Sequence, residues 1–224
     1  MRPVVKGNCP QDNNNNDIVF AEYGEARPQL IIRIGDYCSY CENQITNPAV
    51  EHIFPKLIFP DFLLEWSNFL LACTNCNSIK NHQQNNALEY YWPDIHNTHL
   101  LFNFHPLGVV TLNNNLHQSI NRQIAENTFL LTGLERYGTA ASEADRRWIK
   151  RSQAYEKAAD AFLYYINNGR PNDYILSITN TAAATGFWSV WIKVFENEQP
   201  VKTALTQAFL GTFALYETTD VSRH

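Results

Sequence analysis

No stretch of the 224 residues approaches the roughly 18–20 consecutive apolar residues that a membrane-crossing helix needs. The opening MRPVVKGNCPQDNNNND holds no apolar signal-peptide core either. These absences make a soluble cytoplasmic protein the expectation. Basic charge is scarce as well: 17 Lys and Arg against 22 Asp and Glu leave a net charge of -5, whereas a chain that grips a polyanion unaided carries a strongly basic footprint. Internal repeats, a P-loop and a Rossmann fingerprint are all missing, so any nucleotide hydrolysis belongs to another chain. What is present is a 45% hydrophobic sequence, long enough to bury a full core as one large domain or two small ones.

Cysteine is sparse but patterned. Five is an odd number, and in a cytosolic chain thiols or metal ligands are expected rather than disulfides. Four of the five form two CxxC knuckles, Cys38-Ser-Tyr-Cys41 and Cys73-Thr-Asn-Cys76, a spacing that bends each pair of thiolates toward one tetrahedral ion. Structural Zn²⁺ is the first reading. A four-thiolate iron site uses the same ligands, and a redox motif needs one CxxC at a strand-to-helix junction and no second. Cys9 stands alone in a polar leader.

The gap between the knuckles spans 31 residues, Glu42 to Ala72, against about 15–20 in simple four-cysteine zinc motifs. Inside it lie Glu51-His-Ile-Phe-Pro-Lys56 and Trp66-Ser-Asn68, and the second knuckle runs on through Asn77 to Lys80. Metal would therefore clamp the ends of a module that carries an adjacent carboxylate and imidazole. Cys38, Cys41, Glu51, His52, Pro55, Lys56, Trp66, Asn68, Cys73, Cys76, Asn77 and Lys80 stand in the order found in zinc-clamped HNH endonucleases, a family this chain resembles over about residues 29–82. With CSYCEN before the acid-His pair and YYWPDIHNT after the second knuckle, it looks most like the HNH members of Septu and retron-associated antiphage systems. The resemblance implies a PtuA-like ABC-type ATPase as partner, a nucleic acid substrate, and a ββα-metal unit made of two short strands and a helix starting at Asn75 or Asn77. One position departs from the family name: the third residue of the set is Asn77 rather than histidine.

Residue chemistry gives each member a role. A neutral His52, with an ordinary pKa near 6.5, can take a proton from water. Glu51 and Asn77 offer hard oxygen ligands, which favour Mg²⁺ or Mn²⁺. The resemblance gives Asn68 a site-organising role, and Lys56 and Lys80 are placed to touch flanking phosphates. Taken alone, an acid-His pair reads as a surface pair; enclosure between the knuckles favours a catalytic one. The competing reading is a non-catalytic zinc-knuckle adaptor that binds nucleic acid or a protein. Trp66 is read as core covering the knuckles. His82, His96, His99, His105 and His117 match no ligand spacing, although His99 and Tyr91 are admissible on a substrate path.

The expected fold is α+β: a polar leader over 1–24, the zinc-clamped HNH module over 25–85, a connector with a β-hairpin over 86–115, and a helical C-terminal region over 116–224. Residues 11–17 are too polar to pack. Leu30 to Ile34 is too short for periodicity to settle. His99–Phe104 and Val109–Leu112 read as strands about a His105-Pro-Leu-Gly108 turn. A helix runs from about Ile120 to a stop at Gly133, and a second starts at a Ser142-to-Asp145 capping box and ends at Asn168-Gly-Arg-Pro171. Arg146, Arg147, Lys150, Arg151 and Lys157 form the one basic cluster, read as a solvated face or a phosphate track. Residues 1–80 hold six basic and nine acidic side chains, a net of -3, so a partner is expected to supply the grip on nucleic acid. Phe187, Trp188, Trp191 and Phe195 serve either a core or the interface with that partner.

Overall fold

The computed structural model describes residues 1–81, 86–141, 143–219 and 221–222. Among these, no helix is long and apolar enough to cross a membrane. The chain is α+β, with two small antiparallel sheets and seven α-helices among the described residues.

Helix α1, Arg27–Ile34, settles the short apolar run: Pro28 in its first turn is tolerated where no N–H is needed, Leu30 and Ile34 bury one face, and Gly35 ends it. Strand β1, Ala49–His52, pairs with β2, Phe69–Ala72, in a register that sets Glu51 opposite Leu70 and His52 opposite Phe69. Helix α2, Thr74–Lys80, follows directly, one residue ahead of the earlier expected start. Cys73 is the reason. Its backbone is extended and its sulfur accepts the Cys76 N–H at 3.4 Å, so the knuckle cysteine doubles as the helix cap.

The hairpin is shorter than its sequence pattern. Strands β3, Phe102–Phe104, and β4, Val110–Leu112, pair antiparallel, and residues 98–101 form a helical turn instead of extending β3. Helix α3, Arg122–Thr132, starts at Asn121, whose Oδ1 accepts two backbone N–H groups, and stops at left-handed Gly133. Helix α4, Arg147–Asn167, begins later than the capping-box expectation; Ser142 lies outside the described residues, and Asp145 instead accepts the Arg147 N–H at 3.3 Å. Helices α5 (Tyr174–Thr185), α6 (Trp188–Val194) and α7 (Gln199–Ala208) complete the C-terminal region. Gly108, in the hairpin turn, has φ +71°, and a Cβ there would stand 2.0 Å from the Trp148 carbonyl oxygen. Only glycine lets the turn sit so close to α4.

Three expectations about packing change. The 1–24 segment is no leader throughout: Met1 and Val4 are fully buried, and Arg2 donates to the carbonyls of Ile34 and Leu210 at 2.6 and 2.7 Å. Only residues 11–17 form the exposed polar turn that their composition predicts. Phe187, Trp188, Trp191 and Phe195 are all buried at 1% exposure or less: the last three build the core of the C-terminal helices, and Phe187 packs into the cluster that holds the knuckle cysteines. Trp66 is core, but its ring stacks on Phe20 with the Arg33 guanidinium 5.0 Å away, and its indole N–H donates to Gly7. It anchors the N-terminal segment.

The first knuckle is tied to the far end of the chain. Glu42 adopts φ +67°, its carbonyl accepts the Phe187 N–H at 2.8 Å, and its carboxylate accepts the Ser189 N–H and hydroxyl at 2.7 and 2.6 Å.

Candidate functional site

Two turns separated by 31 residues bring four sulfurs together. The Sγ atoms of Cys38, Cys41, Cys73 and Cys76 all lie within 4.8 Å of one another, and all four residues are buried. Cys41 and Cys73 are 3.8 Å apart at sulfur, close to the edge of a tetrahedron with Zn–S bonds of about 2.3 Å. The donor set thus fits a divalent ion such as zinc. Hydrogen bonds among the thiols push Cys41 well above the usual thiol range and draw Cys73 below it, while burial raises Cys76. Four such sulfurs ionise together only against a bound cation.

The second cluster lies between β1 and α2. A cleft of about 350 Å³ is lined by Glu51 and His52 of β1, Pro55 and Lys56 of the following loop, and Thr74, Asn77, Ser78 and Lys80 of α2. Tyr23 closes its edge. His52 is oriented rather than loose. Its Nε2 lies 3.0 Å from the Leu63 carbonyl oxygen, and an oxygen of that kind only accepts, so Nε2 carries the proton and Nδ1 the lone pair. The ring stands edge-on to Phe69 and Tyr23 at 5.4 and 5.0 Å. Burial, opposed by the Leu63 contact and helped by Lys56 and Lys80, holds its pKa below the ordinary histidine value. His52 is therefore neutral at pH 7.

Asn68 is 1% exposed and does not line the cleft. Its Oδ1 accepts the Phe54 N–H at 2.6 Å and its Nδ2 donates to the carbonyls of Phe54 and Phe62, which closes the loop after His52. Lys56 is exposed, its ammonium 4.6 Å from the Tyr23 ring centre and 3.4 Å from the phenol oxygen. Asn77 is half-buried on the cleft wall.

Lys80 departs from the phosphate-contact expectation. It is 1% exposed, with Nζ 2.8 Å from Glu51 Oε1 and 2.7 Å from the His52 carbonyl oxygen. Burial lowers its pKa and Glu51 opposes that shift. In this structure it is the buried counter-charge of Glu51. The other basic residues are also redistributed: Arg147 and Arg151 of the expected solvated track are buried at 5% and 1% exposure.

The downstream YYWPDIHNT segment is a brace. Trp92 packs 5.7 Å from the Lys80 ammonium, Asp94 pairs with Lys6 at 2.7 Å, and Asn97 donates to Tyr216 and Thr218. Tyr91 and His99 are not on the cleft. The Tyr91 hydroxyl accepts the Asn121 N–H, and the His99 ring is wedged between Trp188 and Tyr216. His82 lies outside the described residues. Tyr23 is the cleft residue that sequence reasoning missed: it lies 29 positions before His52, and no short-range spacing joins the two.

No family model matches this sequence, and no curated protein matches it.

Proposed function

We propose that the chain is a metal-dependent HNH endonuclease of the PtuB kind, which hydrolyses phosphodiester bonds of nucleic acid, DNA ahead of RNA, in antiphage defence beside a PtuA-like ABC-type ATPase. The observation that carries this reading is the cleft itself: Glu51, His52, Lys56 and Asn77 meet there on a strand-strand-helix segment whose ends are joined by four cysteines.

In the proposed reaction His52 is the general base. Its neutral ring presents Nδ1 to water while Leu63 holds the other nitrogen, so the ring accepts a proton without turning. Asn68 keeps the loop that carries this carbonyl in place. Glu51 and Asn77 would hold Mg²⁺ or Mn²⁺, which when bound supplies positive charge toward the phosphoryl and leaving oxygens. Lys56 and Tyr23 sit at the cleft edge, where an ammonium and a phenol can position a flanking phosphate. Zn²⁺ on the four cysteines is structural.

One observation favours the rival, a non-catalytic zinc-knuckle adaptor: the Glu51 carboxylate is already partnered by Lys80. Incubating the purified chain and its ATPase partner with DNA and RNA, with and without Mg²⁺ or Mn²⁺, separates the two. The endonuclease reading expects divalent-dependent cutting that His52→Ala abolishes. Nucleic acid bound but never cut, by parent and variant alike, selects the adaptor.

A further inference from the structure

Helix α4 turns two cations inward at one point. Arg147 and Arg151 are four residues apart, hence on one helical face, and at 5% and 1% exposure they are among the most deeply buried charges of the molecule. A buried guanidinium is strongly disfavoured unless anions and acceptors surround it. Arg147 is fully satisfied. Its Nε and Nη2 grip Asp145 at 2.8 and 2.7 Å, Nη2 also reaches Gly133 O, and Nη1 donates to Thr132 O. The fifth N–H points at a metal-ligand atom: Nη1 is 3.1 Å from Cys76 Sγ.

Arg151 is the less explained of the two. Nε donates to the Gly108 carbonyl at 2.8 Å, while Nη2 is buried with no hydrogen-bond partner. Among the described residues no carboxylate lies within ion-pair distance of it. The negative groups within its electrostatic reach are Cys41, Glu42 and Cys76. Four thiolates around one divalent ion leave a formal charge of -2, and that residual charge is what buried cations on this helix face can offset.

We infer that Arg147 and Arg151 are the outer shell of the four-cysteine site: Arg147 through an N–H···S bond to Cys76 and Arg151 through its charge, so that metal binding and the docking of α4 onto the knuckles are one coupled equilibrium. Loss of the metal would remove what holds the Cys76 sulfur in place to accept the Arg147 N–H. The N–H···S bond that ties α4 to the second knuckle then breaks, and α4 loosens along with the knuckles. This inference rests on the four cysteines holding a metal and is independent of whether the cleft cuts nucleic acid.

The experiment is a chelator competition on purified, zinc-loaded protein, paired with alkylation of Cys76 followed by mass spectrometry. Metal content of the parent comes first; a parent without zinc or iron removes the metal reading itself. Outer-shell partners of metal ligands are typically worth about 10–100-fold in affinity, and Arg147→Gln is expected to lose that much. Arg147→Lys, which keeps charge without the fork, should lose less, and Arg151→Met should shift affinity in the same direction. Cys76 in zinc-loaded Arg147→Gln should be alkylated faster than in the parent, since its sulfur no longer accepts a hydrogen bond. Arg170→Gln, which breaks the ion pair with Glu198, should leave zinc affinity unchanged. Should Arg147→Gln fail to fold, Arg147→Lys and Arg151→Met give the same reading. Arginine variants that hold zinc as tightly as the parent, with Cys76 no more reactive, overturn the inference.

Discussion

Cys76 and Asn77 are neighbours on α2, yet one belongs to a closed cluster of sulfur and the other to an open cleft of oxygen and nitrogen. The sulfur site brings four like donors together in the interior, with arginines behind them. The cleft mixes acid, base, amide and ammonium at the surface, and one of its two lysines is already committed to Glu51. The contrast teaches that one short segment carries two kinds of group: four buried sulfurs that could hold a metal ion, and cleft side chains of which Lys56 and Asn77 stay open to solvent while Glu51 and Lys80 pair within the frame. Changes on one side should therefore leave the other measurable.

The largest effect should come from Cys73→Ala, which removes both a ligand and the cap of α2. Metal content should fall to near zero and circular dichroism should show loss of the module's fold, because binding free energy of a structural ion is folding free energy. A folded, zinc-free variant would break the comparison. His52→Ala is the opposite case: zinc and melting temperature stay close to the parent, while cleavage under single-turnover conditions drops about 10²- to 10⁴-fold. Lys80→Met tests the joint between the two sites. It removes the Lys80 counter-charge from the buried Glu51 carboxylate and should cost up to about 3–5 kcal/mol in urea unfolding. Added Mg²⁺ or Mn²⁺ should recover part of that loss if Glu51 is a ligand, and none of it if Glu51 is purely structural.

The smallest effect sharpens the comparison through pH. His52 is held below the ordinary histidine pKa, so the neutral base persists on acidification and the acidic limb of the cleavage profile should lie below pH 6.5. His99 is the internal control. Burial, then the amino terminus and Lys202, lower its pKa to about 3. Its unfolded form binds a proton between pH 6.5 and about 3 while its folded form does not, so the stability it contributes is present above 6.5 and lost as pH falls through that window. His99→Phe should flatten that part of the stability profile by a few kcal/mol at most and leave the cleavage limb where it was. An acidic limb that moves with His99→Phe would assign the titration to the wrong ring.

What was legible in the sequence follows from the range over which each signal acts. The paired knuckles, the Gly133 stop, the hairpin turn and the long α4 are local patterns, and each has its counterpart in the structure. Burial is not local. The basic positions of α4 alternate with acids as a solvated helix does, yet Arg147 donates to Cys76 Sγ and Arg151 to the Gly108 carbonyl of the hairpin turn. Lys80 looked like a phosphate contact for the same reason: spacing places it after the knuckle, and only the strand pairing reveals Glu51 beside it. Residues 1–10 read as polar leader although Met1, Arg2, Val4 and Lys6 find buried partners supplied by elements far along the chain.

The tie between Glu42 and Ser189 spans 147 residues, and it has a consequence for the order of events during synthesis. Cys38 and Cys41 leave the ribosome well before α6, and the turn that follows them is not completed until α6 arrives to fill the Glu42 carboxylate and carbonyl. Gly186 leaves no slack there: a Cβ on it would stand 2.6 Å from the Glu42 carbonyl oxygen. Contacts of such long range form slowly because the intervening loop must close first. The nascent chain thus carries an unfinished first knuckle until α6 has been made.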